Sequence, residues 1–283
     1  MTRRMGALMK RRSSSASGNG GCAGHTLAEL MIAVALGLVV TAGAVSLYRS
    51  QRAALARAND AMQMREAGLA ALTLIGQQVQ MTGFVPADAP QPHTRPALFG
   101  CSGARPTGTD DALACEPLSG RSDGIAVRYV ADGVSTWPSS SGQPTDCLGQ
   151  APSAGSAPGE AGGVPVVNRF YAKQSGSTGE YELYCEGSGR VGTAQPLVEG
   201  VEKLRVRYWT AGAQSALDAS ALASDQWPDV AVVDVCVLVR GVPQGQRVRY
   251  LDCDGASVLG ADFRARQAFW RRIALRNNEA MPS

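Results

Sequence analysis

A single carboxylate, Glu29, stands just inside an apolar run, in GCAGHTLAELMIAVALGLVV at residues 21–40. An ionised acid in hydrocarbon costs several kcal/mol unless it is paired. Its placement therefore asks for a partner. An amine would supply an ion pair, and the start of a helix would supply a favourable macrodipole. A second set of reactive groups is the cysteines. Cys22 precedes the apolar run, and Cys101, Cys115, Cys147, Cys185, Cys236 and Cys253 follow it. An even number beyond a membrane-directed segment suggests three disulfides made in an oxidising compartment, with fifteen connectivities open. No C-x-x-C is present and no histidine lies near the six later cysteines, so a zinc site has no support.

Other chemistry is missing. The two histidines, His25 and His93, do not stand in any pattern that would assemble a nucleophile, its base and an orienting acid. LDCDG, with Asp252, Asp254 and Gly255, begins like a calcium loop but lacks the later acid and the terminal glutamate, and reads as a solvated turn. GSGRVG at 187–192 is not framed by a strand, a turn and a helix, so it makes a poor phosphate cradle. FRARQAFWRR at 263–272 mixes basic and aromatic residues, and reads as a solvated basic strand rather than a nucleic-acid site. No metal, cofactor or catalytic residue is expected.

The elements around Glu29 are more informative. Leu30 to Leu47 is free of charge and proline, long enough for a transmembrane helix candidate. Before it, Arg3, Arg4, Lys10, Arg11 and Arg12 form a basic arm without acids, and the rest of the chain is slightly acidic. Such an arm reads as a targeting segment that stays cytoplasmic. The apolar run does not end in a loop. It continues into YRSQRAALARANDAMQMREAGLAALTLIGQQVQM, where Leu55, Met62, Leu69, Leu72, Ile75 and Val79 give one apolar helical face. One helix of roughly 55 residues, about 80 Å at 1.5 Å per residue, is expected.

Beyond residue 84 the chain becomes rich in Pro, Gly and Ala to about 120, then breaks into short β-rich runs. DGIAVRYV, VPVVNRFYAK and YELYCE read as strands, and 132–164 as a long Gly/Pro/Ser-rich loop. PLVEGVEKLRVRYW reads as a short turn or helix leading into a strand. VAVVDVCVLVRG is the most apolar strand and is expected at the centre, with RVRYLDCDG and QAFWRRIALRN closing the sheet. A long helix followed by antiparallel strands is an α+β plan.

Gly24 directly before the apolar segment, followed by HTLAELM, resembles the type IV prepilin signal. His25 stands where that family usually carries phenylalanine or methionine, and Ala28 replaces a bulky aliphatic. SDGIAVRY, DCLG, YELYC, PLVEGVEKLRVRYW, WPDVAVVDVCVLVR and a final strand ending ALRN resemble the PilW family of minor pilins, over about 24–277. The resemblance implies a type IV pilin-like α+β fold. Residues 1–24 would be a leader that is removed, 25–48 the transmembrane half of the helix, 49–83 its amphipathic half, and 84–283 a disulfide-containing periplasmic β-rich domain. It implies cleavage by prepilin peptidase between Gly24 and His25, N-methylation of His25, and pairing of Glu29 with the N-terminal amine of a neighbouring subunit. Implied partners are other minor pilins, the major pilin and the inner-membrane assembly platform. The implied location is the bacterial inner membrane, then the pilus tip, where the chain would help prime assembly. From cysteine order and strand placement, the candidate disulfides are Cys101–Cys115, Cys147–Cys185 and Cys236–Cys253. Two other readings are a J-like pseudopilin of type II secretion and a soluble periplasmic protein cut after Ala44.

Overall fold

A computed structural model describes residues 24, 26–87, 89, 96–109, 112–152 and 163–277. The chain divides into two units, 1–54 and 55–283, and one helix, α1 (Leu27–Met81), runs through both.

In the first unit every described residue is exposed. An 18-residue window of α1 has a mean hydropathy of 2.4, long and apolar enough to cross a membrane. Within it the Thr41 hydroxyl donates to the carbonyls of Gly37 (2.9 Å) and Leu38 (3.0 Å). That polar group is thus satisfied inside the helix, as an apolar surrounding requires.

The second unit holds the rest of α1 and twelve strands among the described residues. These are β1 (Leu98–Cys101), β2 (Ala104–Thr109), β3 (Ala112–Pro117), β4 (Gly124–Ala131), β5 (Val164–Gln174) and β6 (Tyr181–Gly187). Then come β7 (Gln195–Glu199), β8 (Val201–Thr210), β9 (Val230–Pro243), β10 (Arg249–Leu251), β11 (Ser257–Leu259) and β12 (Arg264–Ala274). They form a five-stranded sheet ordered β1-β4-β5-β6-β7, a three-stranded sheet ordered β12-β9-β8, and the hairpins β2-β3 and β10-β11. Every pairing is antiparallel. The α+β plan read from the sequence is the fold, and the VAVVDVCVLVRG strand, β9, is central in its sheet.

One hydrophobic cluster joins Leu72, Ile75 and Val79 of α1 to Ile125 and Val127 of β4, Leu204 and Val206 of β8, and Val235 and Val237 of β9. The strand residues alternate by two, which is what a sheet buried on one side demands. Two expectations are corrected. PLVE is strand β7 rather than a turn or helix; as an edge strand it tolerates Pro196, whose missing N–H removes no interior ladder bond. RVRYL does not close a large sheet but pairs only with β11.

The helix face is the expected one only at Leu72, Ile75 and Val79. Leu55, Met62 and Leu69 are 63%, 69% and 49% exposed. The buried stripe is Asp60, Met64, Gly68, Ala71, Leu72, Ile75, Gly76 and Val79. The reason lies in β12, whose side chains are large. The Phe269 ring occupies the place of a side chain at Gly68, and a methyl group at Gly76 would sit 2.9 Å from Arg271 Nη1. Small helix residues leave room for large side chains, and the bulk is supplied by the strand.

Gly→Ala inside a helix ordinarily stabilises by about 0.5–1 kcal/mol. At Gly68 the sign should reverse, with a loss of about 1–3 kcal/mol from overpacking, measured by urea unfolding of the purified chain in micelles. Gly43→Ala, where a new methyl group meets nothing within 4 Å, should not lose stability.

Candidate functional site

The N-terminus of α1 is organised by two side chains. The Thr26 hydroxyl accepts from Glu29 N–H (3.3 Å), and Glu29 Oε2 accepts from Thr26 N–H (3.1 Å) and from the Thr26 hydroxyl (3.3 Å). This reciprocal arrangement is a capping box, in which N-cap and N3 side chains satisfy helix-start donors that have no intrahelical partner. The acid also sits in the first turn, where the macrodipole favours it. The signal was present as T-x-x-E at 26–29, but the apolar context directs attention to a distant amine instead. Gly24 is exposed, with open space around it. His25, Cys22 and His93 lie outside the described residues.

In the second unit, buried Asp60 ties α1 to the end of β9. Its Oδ1 accepts from Val242 N–H (2.8 Å) and its Oδ2 from the Gln244 side-chain amide (2.9 Å). A methyl group on Gly241 would lie 2.5 Å from this carboxylate, so only glycine admits the contact. At the other end of the helix, Gln78 Oε1 accepts from Asn168 Nδ2 (2.7 Å) and from the Tyr129 hydroxyl (3.2 Å). Asn168 Oδ1 in turn accepts from Cys147 N–H (3.0 Å). One helix is thereby hydrogen-bonded to both sheets, and Asn168 carries the link on to the long loop.

The two sheets are linked to each other by Asp123, just before β4. Its Oδ1 accepts from Gly103 N–H (2.8 Å), and its Oδ2 from Val206 N–H (3.0 Å) and Arg205 Nη1 (3.2 Å). Glu180, in the turn between β5 and β6, pairs with Arg240 of β9 (2.7 Å) and Arg264 of β12 (3.0 Å).

Three disulfides are present among the described residues. Cys101–Cys115 joins β1 to β3, with Cα atoms 5.6 Å apart. Cys147–Cys185 fastens the long loop to β6, at 6.6 Å. Cys236–Cys253 fastens the β10–β11 turn over β9, at 5.7 Å.

The remaining motifs serve structure. Asp252 Oδ1 accepts from Asp254 N–H (2.9 Å) and Ala256 N–H (2.8 Å), which makes a tight turn. Asp254 pairs with Arg205 and Arg207. No cluster of His, Cys, Asp and Glu suited to a metal occurs among the described residues. In GSGRVG, Gly189 N–H donates to Asp146 Oδ2 (2.8 Å), so an acid already occupies the position a phosphate would need. The basic strand is solvated only in part: Gln267, Trp270 and Arg272 are exposed, but its arginines are engaged. Arg266 has a 7% exposed side chain and pairs with Glu202 (2.7 Å) and Asp262 (2.6 Å), while Arg272 pairs with Asp234 (2.7 Å). Arg271 Nη1 donates to the Leu72 carbonyl (3.4 Å). Ion-paired arginines thus alternate with residues that meet the helix.

Residues 169–277 match the family model described as type IV pilus-assembly protein W. The family is PilW. The match runs from inside β5 through β12, so it takes in the Glu180 ion pairs and the Cys236–Cys253 disulfide whole, whereas Asp123 and Cys147 lie outside it. Among solved structures, a type IV-like pilin from Thermus thermophilus is 13% identical, with 77% of this chain and 97% of that chain covered and a TM-score of 0.38. No curated protein matches. The PilW match covers both the most apolar strand, β9, and the arginine strand, β12.

The Arg266 guanidinium holds the Asp262 carboxyl down at about 2, against an ordinary 3.8. A folded value below the unfolded one means stabilisation that is complete above about pH 4 and lost as pH falls through about 2. The urea midpoint should therefore drop over that window, and the drop should be shallower in Asp262→Asn.

Proposed function

We propose that this chain is a minor pilin that helps prime type IV pilus assembly, in a tip complex with other minor pilins. The PilW match is the observation that carries the reading. It is supported by α1, whose uncovered apolar half has the length of a membrane span and whose first turn carries Glu29. In this reading residues 1–24 are a leader removed by prepilin peptidase, and His25 becomes the N-methylated first residue. Residues 25–48 hold the subunit in the inner membrane, 49–83 form the amphipathic half, and 84–283 form a periplasmic domain. The chain then passes from the assembly platform into a pilus that also contains the major pilin. Its work is to bind neighbouring subunits, not to catalyse a reaction.

Cleavage before His25 would place a new α-amino group four residues from Glu29. A carboxylate at a helix start can serve the cap and attract a cation at once, because it has about four lone-pair sites. The amine of an adjacent subunit is the cation that this reading supplies.

N-terminal sequencing of the purified protein should begin at a methylated His25. A start at Val45 would mean cleavage after Ala44 and would overturn the reading. A second experiment separates charge from capping. Glutamine also completes a capping box, so Glu29→Gln removes the charge and keeps the helix start. Immunoblots of sheared pili and of membranes should show Glu29→Gln inserted in the membrane but depleted from pili. Normal piliation in Glu29→Gln would refute the amine pairing and leave the carboxylate only its capping role.

A further inference from the structure

An open groove of about 510 Å³ lies in the second unit, between the end of α1, the loop that follows β4, and the residues after β12. Trp137 lines it and is 89% exposed. The loop that presents this ring is braced on several sides. The Thr145 hydroxyl donates to the Trp137 carbonyl (2.6 Å), and Thr145 N–H donates to the Thr136 hydroxyl (3.1 Å). Asp132 Oδ1 accepts from Val134 N–H (2.9 Å) and Ser135 N–H (2.7 Å). An indole held out in water on a hydrogen-bonded loop leaves unburied a side chain that usually dominates cores and contacts.

The polar groups around it are almost all neutral. Gln77, Gln80, Ser135 and Asn277 line the groove. Asn277 Nδ2 donates to the carbonyls of Thr82 (3.3 Å) and Gln80 (3.4 Å), which orients its amide and keeps its oxygen as an acceptor. Tyr129, pushed up to about 12 by burial, stays uncharged. Asp146 is committed, since its carboxylate accepts from the N–H groups of Leu148 (2.9 Å), Gln150 (3.0 Å) and Gly189 (2.8 Å). Arg276 is the other charged residue of the lining and is exposed.

A flat, polarisable ring beside planar amides and hydroxyls has a definite chemical complement. A pyranose carries an apolar C–H face, which an indole can cover, and a rim of hydroxyls that both donate and accept. Amides do both as well. A polyanion would find one exposed cation against a carboxylate, and an apolar helix would have to desolvate the amides without replacing their hydrogen bonds. We propose that this groove binds a neutral oligosaccharide, with Trp137 as the stacking platform and Gln77, Gln80 and Asn277 bonding its hydroxyls. The proposal does not depend on the pilus reading, because binding is measured on the purified chain.

Full-length protein in a detergent without a sugar headgroup would be titrated calorimetrically with cellotetraose, maltotetraose, chitotetraose and N-acetyllactosamine. Sialyllactose and a heparin tetrasaccharide serve as charged comparators. At least one neutral sugar should bind saturably. Trp137→Ala should weaken it about tenfold or more, a typical effect for a central aromatic contact, and Gln80→Ala should also weaken it. Trp270→Ala, which alters an exposed tryptophan outside the groove, should leave it unchanged. Circular dichroism should match wild type in Trp137→Ala, since the ring is exposed. Binding to none of the neutral sugars, binding confined to the charged ones, or binding that survives Trp137→Ala would each overturn the proposal.

Discussion

At Gly68 the ring of Phe269 lies where a side chain would begin, and at Gly76 the guanidinium of Arg271 comes nearly as close. The second unit depends on this approach between α1 and β12. Asp60 fixes the helix along its axis by binding the end of β9, and Gln78 fixes its last turns to β4 and β5. Between those two anchors the contact is a shape fit of small helix residues to large strand residues, where close packing leaves no slack for an added methyl group. The anchors are polar and buried, so they specify one register where a purely apolar stripe would tolerate several.

The inter-sheet links follow the same logic. Asp123 accepts from the backbone N–H of Gly103 in the β1–β2 turn and of Val206 on β8, as well as from Arg205. Glu180 joins one arginine from each of two strands of the neighbouring sheet. The Glu180 pairs are part-exposed, so each contributes modestly to stability, whereas Asp123 is buried. Their value is directional: charge-assisted hydrogen bonds of set geometry, anchored at Asp123 and Glu180, define how one sheet lies on the other. The basic strand thus belongs to the architecture.

Much of this plan could be read from the sequence, and the exceptions share a cause. The long helix and the strands of β4, β5, β8 and β9 were legible because uncharged length and period-two alternation are strong signals. The buried helix face was legible only at Leu72, Ile75 and Val79, because Gly68, Ala71 and Gly76 score poorly against Leu55, Met62 and Leu69, which stay outside. Residues 98–117 hid three strands behind proline and glycine, which usually announce turns; Gly108, at a φ of +88°, sits where β2 ends beside β3. The site behaved similarly. Glu29 stood out as a charge in an apolar run, whereas its partner Thr26, only three residues earlier, needed the helix start to be known first. The groove beside Trp137 could not be anticipated, because it is assembled from α1, a loop and the chain after β12.

The three disulfides have a shared property of order. Beyond the apolar run, each cysteine is joined to the next one along the chain: 101 to 115, 147 to 185, and 236 to 253. The loops they close do not interlace. A chain threaded amino-end first into an oxidising space would therefore offer an oxidant each correct couple before the following cysteine arrived. Simple first-come oxidation then yields the native set, and no later shuffling by an isomerase is required to reach it.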